Sequence, residues 1–309
     1  MTFTKLFFPA LFLAGVMTVG QSSTPPAGAQ GSGAAAGAQG TNPQPPAPQA
    51  SITNPKGKRL PNAKTKQEYD DYLAAANASD AAGAEKLARE FEAKFPNSEL
   101  LPLLYQAVMS RYQRADNSDK TLDMGRKVLQ YDPDSIAALV MNATVLAERT
   151  RPTDIDRDPR LNEGNADARR ALENIGSGNY ILAPTATAEQ VQQYKDQVTG
   201  MAYQALGMAE MERENYPAAE ANLRKALESP TAKGDAIVWY RLALALDRQN
   251  KYPEANTAVT TAVALAPADS QVASMAKNEQ SRLKQLIAAG PPAAAPKSNQ
   301  PEPEIVQPK

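Results

Sequence analysis

Two copies of one residue pattern, 36 positions apart, constrain the fold of this chain more than any other feature. Self-similarity at a period of this length indicates a repeat architecture, because a short supersecondary unit buries its apolar face only by stacking on a neighbour. The aligned pairs are Tyr203 with Trp239, Leu206 with Leu242, Gly207 with Ala243, Tyr216-Pro217 with Tyr252-Pro253, Ala219 with Ala255, Leu223 with Val259, and Ala226 with Ala262.

Each copy of the pattern has the periodicity of a helix pair. Apolar or small residues recur at i, i+3, i+4 and i+7 over residues 203–213 and 239–248, which is the spacing of one helix face. The second helix begins at Pro217 or Pro253, since a proline in the first helical turn removes no hydrogen bond. The repeated unit is therefore predicted to be helix, short turn, helix.

Small residues and prolines fix where the two helices of a pair meet and stop. Ala219 and Ala255 occupy the position where the helix axes are expected to cross, and a larger side chain there would push them apart. Each pair closes at a proline that cannot extend the helix, Pro230 in the first copy and Pro267 in the second.

The pattern resembles the tetratricopeptide repeat, whose 34-residue unit carries an aromatic residue, a Leu-Gly pair, two alanines and a closing proline. The offset of 36 exceeds that period by two, and the surplus is assigned to the turn at 231–234. A general helical bundle with chance alanines is the alternative. The resemblance implies an all-α fold, namely a right-handed α-solenoid of antiparallel helix pairs, with about four to five repeats and a C-terminal capping helix.

Looser helix pairs are predicted upstream of the two regular copies. The helix that enters the first regular copy begins at Thr187, with Gln190 completing a capping box, and runs to about Arg213. An inserted surface loop is predicted at 151–165. The other expected helices are 67–78 and 80–95, 100–114 and 120–131, 134–149 and 166–175, and a last helix at 269–289.

The chain contains no cysteine and no histidine, which excludes most catalytic and metal-binding chemistry. Disulfides, thiolate and imidazole metal sites, and Ser-His-Asp or Cys-His catalysis are all ruled out. The acids Asp154, Asp156 and Asp158 alternate as in a calcium loop, but Pro159 replaces the required glycine and Asn165 the required glutamate. The sequence therefore predicts no metal, no cofactor and no enzyme, with hydrolysis by carboxylates alone as the remaining enzymatic alternative.

The first twenty residues have the features of a secretory signal. Lys5 precedes an apolar run from Leu6 to about Met17, which is short for a membrane span. Cleavage is expected after Gly20, with Ala29 as a second candidate, and the absence of cysteine excludes a lipoprotein signal. The predicted location is periplasmic or secreted, and an uncleaved membrane anchor is the alternative.

Composition divides the rest of the chain into three segments. Residues 21–66 are rich in Pro, Gly, Gln and Ala and are predicted to be a disordered linker with a basic end. Residues 67–289 are predicted to form the helical solenoid. Residues 290–309 are proline-rich and are predicted to be a disordered tail.

Charge is distributed unevenly along the chain. Residues 1–66 contain no acid, whereas 67–289 contain 25 Lys and Arg against 32 Asp and Glu, a net charge of about −7. The acidic body argues against nucleic-acid binding. The basic end of the linker could contact anionic lipid or act only as a solvated hinge. Its cationic residues are Lys56, Lys58, Arg59, Lys64 and Lys66.

The resemblance also implies where a ligand would bind. First helices of tetratricopeptide repeats line a concave groove, and matching its positions gives Met201, Gln204, Ala205, Met208, Met211 and Glu212 in one repeat. The next repeat supplies Ile237, Tyr240, Arg241, Leu244, Asp247 and Arg248. The candidate site is this set without Ala205, Glu212 and Asp247. A carboxylate clamp of the type found in some of these repeats is not predicted, since Asn222, Arg241 and Asn256 are out of register for it.

Three methionines on one helix face have two interpretations. Methionine suits a surface that accepts varied apolar partners, but a stripe at helical spacing also suits a packed core. Arg241 and Arg248 could hold an acidic group. The favoured hypothesis is a non-catalytic scaffold of the bacterial cell envelope that binds a peptide or protein in its groove. A membrane-tethered structural spacer is the alternative.

Overall fold

The computed structural model describes residues 58–181 and 186–289, so the predicted signal sequence, most of the linker and the proline-rich tail lie outside the described residues. All regular structure within these ranges is helical. The helices are α1 (Lys66–Ala76), α2 (Ala81–Lys94), α3 (Leu101–Arg114), α4 (Ser118–Tyr131), α5 (Ile136–Arg149), α6 (Arg157–Ser177), α7 (Ala188–Glu212), α8 (Tyr216–Ala226), α9 (Pro230–Lys233), α10 (Ala236–Asp247), α11 (Tyr252–Leu265) and α12 (Gln271–Ala289).

The chain divides into two compact units between Lys233 and Gly234. In the first unit, α1 to α8 form four successive antiparallel pairs, and each pair also packs on the one before it. In the second unit, α10 and α11 form a pair, and α12 packs on α11 in the place predicted for a capping helix. The predicted all-α class and its organisation into antiparallel helix pairs are confirmed.

Large apolar side chains fill the interior of the first unit. One cluster lies among α1 to α5 and includes Leu104, Tyr105 and Met109, each at most 2% exposed. A second cluster joins α5, α6 and α7 through residues such as Leu139 and Val198. Burial on this scale explains why short helices with weak individual propensity are stable here.

Close helix contact at the first regular copy depends on small residues, as the sequence predicted. A Cβ atom on Gly207 in α7 would lie 2.7 Å from Cγ of Leu223 and 3.4 Å from the carbonyl oxygen of Ala219, both in α8. Ala219 is completely buried. In the second unit, Ala255 and Ala262 of α11 are likewise completely buried. The alanines of the repeat pattern therefore occupy positions without free volume.

One predicted boundary differs from the structure. The predicted loop at 151–165 is mostly helical, because α6 begins at Arg157. Pro159 stands in the first turn, where the missing N–H removes no hydrogen bond. Leu161 is completely buried and Gly164 lies against Leu146 of α5, so packing extends the helix toward its N-terminus.

The other helix ends lie close to the positions predicted from capping residues and prolines. Thr187 caps α7, and its side chain and that of Gln190 bond reciprocally to backbone N–H groups as a capping box. The turn assigned to the two surplus residues overlaps the one-turn helix α9. None of the helices within 58–181 and 186–289 combines the length and hydropathy needed to cross a membrane.

Candidate functional site

Five of the predicted contact residues lie along α10 in the second unit. Asp235 caps the N-terminus of the helix, and its carboxylate accepts a hydrogen bond from the Ile237 amide at 2.9 Å. Positions 237, 240, 244 and 248 follow at intervals of three or four, with 241 beside 240, so the residues form one stripe along the helix. Four are half-buried and the last is exposed: Ile237, Tyr240, Arg241, Leu244 and Arg248. We call these five residues the α10 stripe.

The α10 stripe combines apolar and cationic groups. Burial raises the pKa of Tyr240, and the nearby carboxylate of Glu279 raises it further, so its phenol stays protonated across the physiological range. Burial also raises the pKa of Asp235, although the Ile237 amide and the charge of Arg241 oppose that shift. The stripe therefore offers partly open apolar surface beside fixed positive charge.

Arg248, at the end of the α10 stripe, borders an open cleft of about 450 Å³ in the second unit. On the wall of the cleft, Arg282 of α12 donates to Asp247 at 2.6 Å and to Glu279 at 2.8 Å. These two acids raise the pKa of Arg282. The carboxylates of the cleft are thus engaged by Arg282, and Arg248 adds a second, exposed cation. Asn250 and Tyr252 complete the lining, and the Tyr252 hydroxyl donates to Asn250 at 2.7 Å.

The other four predicted contact residues lie on α7 in the first unit and are less accessible. Met201 is 5% exposed and belongs to the core cluster of α5, α6 and α7. Met208 is 6% exposed and packs with Ala147 and Leu161. Gln204 is also buried, and Met211 is half-buried. Of the two interpretations of the methionine stripe, the structure thus places Met201 and Met208 in a packed interior.

A polar interface that the sequence did not reveal lies between α2, α3 and α4. Glu85 of α2 is 7% exposed, and its carboxylate accepts from Tyr112 at 2.6 Å, Arg89 at 2.7 Å and Lys120 at 3.1 Å. Burial by itself would raise the pKa of Glu85, but these hydrogen bonds outweigh it and hold the pKa at about 2. The buried carboxylate is therefore ionised and compensated.

The same arrangement recurs two helical turns further along. Glu92, seven residues after Glu85, accepts from Lys127 at 2.7 Å and from the hydroxyls of Tyr105 and Tyr131. Burial opposes ionisation, but these donors keep the pKa of Glu92 below its usual value. Lys127 follows Lys120 by seven residues, and Tyr105 precedes Tyr112 by seven on the antiparallel helix α3. We call the two sets together the Glu–Tyr–Lys ladder.

A third polar group lies between α4, α5 and α6. Asn142 is completely buried, and its Oδ1 lies 1.9 Å from where a Cβ on Gly125 would be, so the glycine makes room for it. Neither polar atom of Asn142 forms a hydrogen bond of normal geometry. Burial, reinforced by the charge of Glu163, raises the pKa of neighbouring Asp167 to about 7. The seven-residue spacing of the ladder is present in the sequence, but it does not show which of these side chains a neighbouring helix covers, and no spacing indicates the Asn142 cluster.

The basic end of the predicted linker is engaged in contacts within the first unit. Lys58 pairs with Asp132, Arg59 with Glu99, and Lys66 with Asp70 one turn along α1. The fourth cation, Lys64, donates to the carbonyl oxygen of Asn97. Lys56 lies outside the described residues.

The acidic side chains of residues 58–181 and 186–289 do not converge on a metal position. Within the described part of the chain, no group of three or more His, Cys, Asp or Glu could hold a metal ion. Carboxylates here face lysine, arginine and tyrosine donors instead, as Glu85 and Glu92 do in the ladder.

Comparison with known proteins finds likeness in structure at low sequence identity. No protein-family model and no curated protein sequence matches the chain. Three solved structures that match are TTC0263, a thermophilic tetratricopeptide repeat protein of Thermus thermophilus, the type IV pilus biogenesis factor PilW, and Acl4, the assembly chaperone of RpL4. Their sequence identities are 13%, 16% and 13%, and their TM-scores are 0.41, 0.44 and 0.48. The matches cover 71%, 73% and 73% of this chain and 100%, 94% and 90% of the respective structures.

Proposed function

We propose that this protein is a non-catalytic scaffold that binds a peptide or protein segment through the α10 stripe. The observation that carries the proposal is the stripe itself. Ile237, Tyr240 and Leu244 remain partly accessible along one helix, and so does the neighbouring Trp239, while the other apolar residues of α10 are buried. Arg248 adds an exposed cation at one end.

The chemistry of the α10 stripe favours an apolar segment that carries an acidic group. Partly buried aromatic and aliphatic side chains supply contact area, and aromatic residues and arginine are the types that most often dominate binding energy at interfaces. Arginine holds carboxylates well because its planar donors can bond both oxygens. We infer a partner whose apolar side chains contact Leu244 and Tyr240 while a carboxylate reaches Arg248.

We also propose that this binding takes place in the bacterial cell envelope. The support is the signal-like segment at residues 1–20 and the absence of any cysteine that an oxidising compartment could trap in a wrong disulfide. A membrane contact through the basic end of the linker is part of the proposal, but it requires Lys58 and Arg59 to leave Asp132 and Glu99. N-terminal sequencing of exported protein tests the location, and a mature form that starts after Gly20 would eliminate the anchored spacer.

Site-specific photocrosslinking in cells tests the α10 stripe. A benzophenone amino acid is placed at Leu244, which is half-buried on α10, and separately at Leu265, which is 41% exposed at the end of α11. We expect crosslinks to a distinct envelope protein from position 244 that are absent from position 265. Crosslinking that is equal at both positions, or confined to 265, would contradict the assignment of the stripe.

A charge-reversal pair then tests the role of arginine. Arg248→Glu should abolish most of the crosslinking from position 244, since it places a repulsive charge opposite the inferred carboxylate. Lys277→Glu is the matched control, because Lys277 is an exposed cation on α12 of the same unit. If both variants crosslink as well as the parent, the partner is not recognised through Arg248.

A further inference from the structure

Residues 58–64 lie across three successive turns of the first unit as an extended segment, which we call the strap. Its Lys64 ammonium donates to the carbonyl oxygen of Asn97 at 3.1 Å, in the turn between α2 and α3. At its other end, Lys58 pairs with Asp132, in the turn between α4 and α5. The Lys58 amide also donates to the carbonyl oxygen of Tyr180, beyond α6, at 3.2 Å. The strap therefore bridges three helix pairs.

In each of the hydrogen bonds that join the strap to these turns, the strap supplies the donor and the turn supplies the acceptor. In the middle of the strap, Glu99 accepts from the Arg59 guanidinium and from the Asn62 amide at 3.2 Å. Together with Asn97, Asp132 and Tyr180 this forms a row of acceptors, which we call the acceptor row. Helix dipoles do not make the electrostatic potential of the acceptor row negative, because the C-termini of α2 and α4 lie beside the N-termini of α3 and α5 and their partial charges oppose each other. The carboxylates of Glu99 and Asp132 make this potential negative, so the row favours cationic side chains and N–H donors.

The contacts of the strap are specific in geometry but differ in how far solvent screens them. The side chains of Lys58 and Asp132 are only 27% and 22% exposed, whereas the ion pair in the middle of the strap is more open. The side chains of Arg59 and Glu99 are 67% and 36% exposed, and exposed ion pairs of this kind contribute little to stability. The strap also buries few apolar groups: Leu60, Pro61 and Ala63 are only half-buried. The covalent link of the strap to α1 adds to these contacts, because it keeps the effective concentration of the strap at about the millimolar level. Such a segment can compete with a partner peptide for the acceptor row and can also dissociate from it.

We propose that the acceptor row is a docking surface for an extended basic peptide, and that the strap occupies it in cis. The partner that fits has the chemistry of the strap: an extended backbone with adjacent cationic side chains. This surface lies wholly in the first unit and is separate from the α10 stripe, so the two proposals stand or fall independently. Release of the strap frees the row for a partner and, at the same time, frees Lys58 and Arg59.

The test uses the full chain and a fluorescent synthetic peptide with the sequence of residues 52–64. Lys58→Glu/Arg59→Glu reverses the charges of the strap, so that it no longer competes for the acceptor row. We expect fluorescence anisotropy to show about tenfold tighter binding of the peptide to this variant than to the parent, because the tethered competitor has been removed. Equal binding to the two proteins would overturn the proposal.

Two further variants separate specific docking from attraction to an acidic protein. Adding Glu99→Gln/Asp132→Asn to the strap variant should return binding to the parental level or below, because the carboxylates of the row are gone. Adding Glu90→Gln/Asp119→Asn removes the same charge from exposed positions on α2 and α4 and should leave the tight binding intact. Equal losses in both, or equal binding of a scrambled peptide, would overturn the proposal. Amide hydrogen exchange gives an independent readout, since Glu99→Gln should accelerate exchange at Asn62.

Discussion

The α2–α3–α4 interface of the first unit and the α10–α11 interface of the second hold similar helices together by different chemistry. The first contains the buried carboxylate of Glu85 and the half-buried carboxylate of Glu92, each compensated by tyrosine and lysine donors. The second has Ala243, Ala255 and Ala262 completely buried, beside Leu242 and Val259, at most 1% exposed. Helices can thus be held together either by compensated charges or by close packing of small residues. The two kinds of interface should therefore be destabilised by different changes, in pH for the first and in side-chain size for the second.

We expect the largest effect from loss of the Glu85 charge. Its folded-state pKa of about 2 lies below the ordinary value of 4.5, and one pKa unit corresponds to about 1.4 kcal/mol. Glu85→Gln should therefore lower the free energy of unfolding by about 3 kcal/mol at pH 7. Because the folded-state pKa is depressed, this stabilisation is complete above about pH 4.5 and disappears as the pH falls toward 2.

Urea unfolding at pH 7 and at pH 3 measures both parts of this prediction. Glu90→Gln is the matched control on the same helix, since the Glu90 side chain is 60% exposed and its contact with Lys86 is 3.9 Å long. That variant should change stability by less than about 0.5 kcal/mol. A Glu85 effect no larger than the Glu90 effect would mean that the ladder is a solvated surface network.

Overpacking should be the next largest effect, and it falls on the alanine interface. Ala255→Leu should lower the free energy of unfolding by about 2 kcal/mol, and Ala219→Leu by a similar amount, because neither position has room for a larger side chain. Unlike the Glu85 effect, these losses should not depend on pH. Ala264→Leu, at an exposed position of α11, should be neutral within about 0.5 kcal/mol and serves as the control. Neutral results at both buried alanines would refute the predicted crossing.

The contrast explains what could be predicted from the sequence. The alanine interface was predictable because close packing limits the size of a residue at every repeat, and this limit reappears at a fixed offset. The ladder was not, because Glu85 looks like part of an ordinary solvated helix face until α3 and α4 cover it. The start of α6 at Arg157 was missed for a similar reason, since its support is the burial of Leu161.

The candidate site also shows that sequence spacing does not reveal which residues are covered by other helices. Helical spacing correctly places Met201 and Met208 on one face of α7, but it does not say what covers that face. The long α7 packs on α5, α6 and α8, so these methionines are buried. On α10 the same reasoning gives residues that stay half-buried or exposed. The helical period therefore identifies which residues share one face of a helix, while the exposure of that face depends on helices that are distant in sequence.

A smaller effect, with the opposite pH dependence, is expected at Asp167. Its folded-state pKa of about 7 lies above the ordinary value of 3.8, so the folded state binds the proton more tightly than the unfolded state. Stability should therefore be highest below about pH 4 and fall as the pH rises to about 7. A pKa difference of about three units would correspond to a loss of about 4 kcal/mol, but Asp167 is only half-buried, and solvent screening reduces the expected loss to about 1 kcal/mol.

Thermal unfolding of the parent and Asp167→Asn between pH 4 and pH 8 tests this prediction. The variant should lose the decline that the parent shows over that interval, because its side chain does not ionise. The groups facing Asp167 are Glu163 and Arg170 on α6, Arg126 on α4 and Asn142 on α5. Glu163→Gln is the informative comparison, since it removes one acid but leaves Asp167 able to titrate. An identical pH profile for parent and Asp167→Asn would contradict the assignment.

The smallest effect should come from the basic partner in the ladder. Lys120 is 40% exposed at its side chain, whereas that of Glu85 is only 9% exposed. If Lys120 is replaced by methionine, Glu85 keeps its hydrogen bonds from Tyr112 and Arg89, and the lost ammonium was already well solvated. We expect Lys120→Met to cost about 0.5 kcal/mol in urea unfolding, well below the cost of Glu85→Gln. Equal losses in the two variants would mean that the ion pair stabilises the interface as a unit. Unequal losses would assign the stabilisation chiefly to the buried acid and its tyrosine and arginine donors, with the lysine neutralising the charge at the solvent edge.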